Sequence, residues 1–111
     1  MLVNTNKKIF TNKKEKLFMN LAFPKFVQAW WMNGKLYIYV DCEFYSPGRS
    51  IFFTHEKGEL PTFNMFEGSD GSPSSGNIYP YSNTFDFNGP YAKSIYIIDG
   101  RGKHVLPVQL K

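Results

Sequence analysis

The sequence predicts an all-β protein, an antiparallel sandwich or small barrel of seven or eight short strands. Three observations predict it. Residues Lys35–Tyr45 alternate cleanly between two faces, with Leu36, Ile38, Val40, Cys42 and Phe44 on one and Tyr37, Tyr39, Asp41, Glu43 and Tyr45 on the other. Turn signals built from Gly, Pro, Asn and Asp recur about every 8–12 residues along the chain. No helical periodicity is sustained for as many as about ten residues. The chain has 111 residues, of which 18% are aromatic. That is one domain, rich enough in bulky side chains to bury a core at this size. The same composition excludes a disordered, collagen-like or coiled-coil class.

Residues 1–21 mix Asn, Lys and Thr with scattered apolar residues and show neither period. They read as a basic N-terminal arm, extended or disordered until bound, ahead of a β-domain spanning 22–111. Met19 stands where the ordered body begins and is a candidate alternative start. The first body strand is Lys25–Met32. Asn33-Gly34 follows, the pair a type I′ hairpin turn prefers because both central positions need positive φ. Lys35–Tyr45 is the returning strand, and Ser46-Pro47-Gly48 turns the chain. Arg49–His55 is the next strand, Glu56–Glu59 a turn, and Thr62–Phe66 a short strand carrying Phe63 and Met65. Glu67–Asn77 has no apolar residue and reads as a surface loop. Ile78–Tyr81 and Thr84–Phe87 are short strands interrupted by Pro80, and Asn88-Gly89-Pro90 is a turn. Tyr91–Asp99 is a long strand, and Gly100-Arg101-Gly102 closes a hairpin into Lys103–Leu110. Pro107 lacks an N–H for a ladder, which predicts an edge position for this last strand. The expected core is Phe26, Leu36, Ile38, Val40, Cys42, Phe44, Ile51, Phe53, Phe85, Phe87, Ile95, Ile97, Leu106 and Val108, with one of the two tryptophans.

The segment Thr84-Phe85-Asp86-Phe87-Asn88-Gly89-Pro90-Tyr91, the strand Ser94–Asp99 and the turn Gly100-Arg101-Gly102-Lys103 together resemble the closing strands of bacterial immunoglobulin-like and fibronectin-III-like modules. Upstream, Ser50–Pro61 is similar to the strand-and-turn segment of such domains, with Glu56-Lys57-Gly58 in place of their usual Asp-Gly pair. The resemblance covers about 60 residues and implies an antiparallel immunoglobulin-like β-sandwich. It also implies a non-catalytic role, such as adhesion, spacing, sugar binding or decoration of a virion. Its motifs are turn chemistry and carry no site residues.

The net charge of +4 is unevenly placed. Residues 1–25 hold six Lys and one Glu, a charge of +5, and residues 26–111 hold a charge of −1. Lys7, Lys8, Lys13, Lys14 and Lys16 are therefore the candidate arm contacts, to an acidic protein surface or to phosphates. Lysine without arginine suits diffuse attraction rather than bidentate recognition. The nearly neutral body ranks nucleic acid below a protein partner.

No catalytic constellation is expected. Cys42, His55 and His104 are the sole Cys and His residues, and Cys42 falls on the apolar strand face, where a thiol is a small hydrophobe. No metal-ligand spacing occurs, and no cofactor motif. Glu67 and Asp70 lack the acidic ladder of a calcium loop. Asp41 and Glu43 share the outer face with tyrosines, an acidic aromatic surface rather than a carboxylate dyad.

The aromatic surplus carries the functional expectation. Trp30 and Trp31 are consecutive, so on a strand they point to opposite faces. One enters the core, and the other is covered by the arm, covered by a partner, or exposed. The candidate binding residues are Trp30, Trp31, Tyr37, Tyr39 and Tyr45, suited to protein contact, sugar stacking or base stacking. The expected function is a non-enzymatic binding or assembly module, a structural or accessory subunit of a larger phage- or virion-like particle, with protein contact or self-assembly first. A carbohydrate-binding module and a nucleic-acid binder using the arm are the alternatives. No signal-peptide pattern or membrane-spanning run is present, so synthesis in the cytoplasm is expected.

Overall fold

The computed structural model describes residues 18–111, with side chains from Asn20 onward. Among these residues there are eight strands and no helix. They are β1 (Phe18–Leu21), β2 (Phe26–Met32), β3 (Lys35–Phe44), β4 (Arg49–Glu56), β5 (Thr62–Ser69), β6 (Tyr79–Asn88), β7 (Ser94–Asp99) and β8 (Gly102–Leu110). The arm lysines Lys7, Lys8, Lys13, Lys14 and Lys16 lie outside the described residues. The last four residues assigned to the arm form β1, which pairs with Phe66–Ser69 of β5.

The strands make one curled sheet in the order β1-β5-β7-β8-β2-β3-β6, with β4 on the other side of β5. The expectation of a wholly antiparallel sheet is corrected: β2 runs parallel to β8, and β5 runs parallel to β7. Two chain segments cause this by serving both halves of the sheet. Residues 18–32 pair first with β5 and then, past a corner at Pro24, with β3. At the corner the Ala22 N–H donates to the Met65 carbonyl at 2.9 Å, and the Lys25 N–H to the Asp41 carbonyl at 2.8 Å. Likewise β8 pairs with β7 as far as Pro107 and with β2 from Val108 onward. A strand that changes neighbours in this way curls the sheet over one core.

The β2–β3 hairpin forms as its sequence demands. Asn33 (φ 54°) and Gly34 (φ 80°) occupy the left-handed region of the turn, and the ladder holds from Met32↔Lys35 to Phe26↔Asp41. Leu36, Ile38, Val40, Cys42 and Phe44 are buried, and their alternate neighbours are partly covered. Each buried aliphatic or aromatic side chain contributes roughly 1.5–3 kcal/mol. Opposite them, Ile51, Phe63, Met65, Ile95 and Ile97 complete the core, with Ala22, Ala29 and Val108 where strands crowd. Phe53, Phe85, Phe87 and Leu106 pack against it partly buried. Phe53 meets the Phe85 and Phe87 rings edge-on at 5.0 and 5.7 Å.

Four further expectations are corrected. Phe26 is not in the core but 51% exposed, because its even-numbered position puts it on the outer face with Gln28 and Trp30. β8 is not an edge strand, since it has β7 on one side and β2 on the other. The expected pair of short strands around Pro80 is one strand, β6, at the sheet's edge beside β3, where a missing N–H is tolerated. Finally, β5 continues to Ser69, so Glu67 is held in the sheet with Arg49 at 3.5 Å, and the surface loop begins at Asp70.

Candidate functional site

The alternation of β2 and β3 settles the tryptophans. Trp31 turns inward, packs against the core and meets the Tyr91 ring edge-on at 5.8 Å. Trp30 turns outward, opposite Tyr37. The two rings stack with centroids 5.7 Å apart and planes 12° apart. The Lys111 ammonium lies 5.0 Å from the Trp30 ring centroid. Because β2 lies between β3 and β8, Tyr37 and Lys111 reach the indole from opposite sides, and both faces of Trp30 are in use. Farther along the same surface Phe26 tilts against Tyr39 at 6.2 Å. Gln28 and Gln109 approach each other at 3.5 Å, and Lys35 pairs with Asp86 at 3.0 Å. The outer face is thus a ladder of cross-strand pairs. It brings Trp30, Tyr37 and Tyr39 together and leaves out two of the candidates: Trp31 is on the other face, and Tyr45 stands past the end of β3, six residues and roughly 20 Å beyond Tyr39. Tyr45 is 62% exposed there.

A concave site lies beside this face and was not anticipated. β2 and β8 are paired only over Ala29–Trp31 and Val108–Leu110. On the N-terminal side of that short ladder β2 stays with β3 and β8 stays with β7, and the two strands part around a cleft of about 460 Å³. Lys25, Phe26 and Val27 line one wall, and His104, Val105 and Leu106 the other, with Ile97 and Asp99 at the floor. Two of its apolar side chains face solvent, Phe26 at 51% and Val105 at 57%.

The polar groups of the cleft are held in place. Asp99 is buried, accepts from the Arg101 N–H at 2.8 Å and lies 2.9 Å from His104 Nε2. The Arg101 guanidinium donates to the Pro24 carbonyl at 2.6 Å and sits 5.6 Å from the Phe23 ring centroid. Lys25 pairs with Glu43 at 3.3 Å, with both side chains well exposed. Asp99 and His104 do form a carboxylate–imidazole pair. No Ser, Thr or Cys is among the cleft-lining residues to act as its nucleophile. Cys42 is buried, and its thiol is pushed up to about 11 by that burial and, secondarily, by Asp41. Among the described residues no group of three His, Cys, Asp or Glu could hold a metal ion. No helix among them is long and apolar enough to cross a membrane.

A second opening lies between the β4–β5 and β6–β7 turns, bounded by His55, Lys57, Glu59, Pro61 and Tyr91. His55 stacks flat on Phe63 at 4.4 Å, and desolvation, helped by Lys57, lowers its pKa.

No family model, curated protein or solved structure matches this chain. The sequence signal that could have located the β2–β8 cleft is Pro107, read there as the mark of an edge. It does end a ladder, but only one of the two that β8 makes.

Proposed function

We propose that this protein is a non-enzymatic binding and assembly module that contacts polypeptide through the cleft between β2 and β8. The observation that carries the reading is the parting of these two strands around an apolar cleft with Phe26 and Val105 open to solvent. Solvent-facing apolar groups in a concavity with polar groups at its rim suit protein contact. The packing of two sheet halves around one core supports an immunoglobulin-like assignment. The charge of +5 on residues 1–25 suits attachment to an acidic surface, as in an accessory subunit of a larger particle. Sugar stacking on the outer face is the weaker reading, since a pyranose needs a free ring face and Tyr37 and Lys111 occupy both faces of Trp30.

The test is a random-peptide display library panned on the full chain, with a glycan array run in parallel. Peptides should be enriched that bind the parent protein and not Val105→Glu, a substitution at a solvent-facing position that leaves the core intact. A blank panning result, together with a glycan signal lost in Trp30→Ala, would replace this reading with the carbohydrate one.

A further inference from the structure

Resting on that reading, we propose that the β2–β8 cleft takes an extended acidic segment of another polypeptide as an added strand, and that Pro107 keeps the cleft open for it.

Backbone geometry points to a strand as the occupant. Successive residues of a strand aim their N–H and C=O groups to opposite sides. The Lys111 N–H donates to the Trp31 carbonyl at 2.9 Å, so the odd-numbered residues of β8 face β2. The Val108 N–H donates to the Lys93 carbonyl at 2.8 Å, so the even-numbered ones face β7. Moving toward the N-terminus of β8, the groups aimed at β2 belong to Gln109, residue 107 and Val105. Residue 107 is proline and has no N–H. The ladder stops there, with Ala29↔Val108 as its last pair. Beyond it the backbone groups of Val105 and Lys103 on β8, and of Val27 on β2, are aimed into the cleft with no strand opposite them. Open edges of this kind are templates for strand addition. Three residues line each wall, and at about 3.3 Å per residue the cleft admits three or four residues of extended chain.

Side chains specify the occupant's composition. Val27 and Leu106, turned toward the core, offer apolar contact for every second residue of such a strand, and the exposed Phe26 and Val105 flank the residues between. The rim carries Arg101, one of whose guanidinium N–H groups is on the Pro24 carbonyl, and Lys25, whose pair with Glu43 at 3.3 Å is exposed and exchanges at little cost. The carboxylate among the lining residues, Asp99, is buried and already engaged by the Arg101 N–H and His104. An incoming carboxylate that takes the place of Glu43 on Lys25 or reaches Arg101, over apolar walls, matches a segment in which Asp or Glu alternates with β-branched residues. Residues 1–17 hold five Lys and one Glu and are the opposite of an acidic segment, which argues against this chain's own N-terminus, from the same or a second copy.

The experiment titrates the 111-residue chain into fluorescein-labelled (Glu-Val)5, (Lys-Val)5, and (Glu-Val)5 with alternate amides N-methylated, read by anisotropy at low salt. The acidic peptide should saturate. N-methylation should weaken it by about tenfold or more, the effect of losing one or two main-chain hydrogen bonds. Lys25→Gln should weaken it less, and the lysine peptide should not bind. Pro107→Val, which restores the missing donor and extends the β2–β8 ladder, should also cut affinity by about tenfold or more, with a thermal midpoint at or above the parent's. Equal binding of the N-methylated peptide, or of the lysine peptide, overturns the proposal. So does Pro107→Val that melts at or above the parent's midpoint and binds undiminished. If Pro107→Val does not fold, the peptide pair and Lys25→Gln decide. A library that yields Val105-dependent peptides while (Glu-Val)5 fails to bind ends this inference and leaves the polypeptide-binding reading standing. Failure of both ends both.

Discussion

The Trp30–Tyr37 stack is open to a direct energetic test. If the outer face is a self-supporting cross-strand ladder, the two rings stabilise the fold together rather than waiting for a ligand. An offset or stacked aromatic pair contributes roughly 0.5–1.5 kcal/mol beyond its buried area. The Lys111 ammonium over the indole adds about 0.5–1 kcal/mol at a partly exposed site. With the apolar area lost, Trp30→Ala should cost roughly 2–3 kcal/mol. At about 4–8 °C per kcal/mol for a domain of this size, the thermal midpoint should fall by at least about 8 °C. The decisive measurement is a double-mutant cycle of Trp30→Ala, Tyr37→Ala and the pair, by urea unfolding followed in the far ultraviolet. The structure, with centroids at 5.7 Å and planes at 12°, calls for a coupling of about 1 kcal/mol. Single effects that add to within about 0.3 kcal/mol would refute the stack as a stabilising element and free Trp30 as a platform for a ligand.

Other expectations concern single residues. Cys42, buried with its thiol pushed up to about 11, should react with iodoacetamide at pH 8 at least about a hundredfold more slowly folded than unfolded; equal rates would place the thiol at the surface. His55 has its pKa lowered from 6.5 by desolvation and by Lys57, so the unfolded chain binds more protons as the pH drops below that value. The His55 contribution is therefore fully present above about pH 6.5 and is lost as pH falls toward the folded pKa. The urea midpoint of His55→Gln should show a flatter slope over that window than the parent, and an unchanged slope would remove His55 as its cause. Gly34→Ala places a side chain at φ 80° with open space around it, so its cost is backbone strain alone, about 1 kcal/mol by urea unfolding. A cost below about 0.3 kcal/mol would show that the hairpin does not need the left-handed turn.

Where the sequence read true, the signal was local. Period-two alternation from Leu36 to Phe44 placed five residues in the core, and Asn33-Gly34 placed the hairpin that sets the β2–β3 register. The same alternation guaranteed that Trp30 and Trp31 would part. It could not say which one turned inward, because a shift of one residue exchanges the faces. Phe26 went astray for that reason: with Ala29 pinned in the core and Val27 turned toward it, Phe26 had to face out.

The sequence by itself determined an all-β chain, its main hairpin, most of its core and a basic N-terminal region on a nearly neutral body. Each of these follows from residue type and short-range period. Only the tertiary structure decided that β8 and the segment around Pro24 each serve two halves of one sheet, which makes the sheet mixed and opens the cleft. Strand neighbours are chosen by contacts between residues far apart in the chain, Ala29 with Val108 and Thr62 with Tyr96 among them. Such pairings leave no periodic trace in either partner. A proline records that a hydrogen bond is missing, and the fold alone says on which side of the strand it is missed.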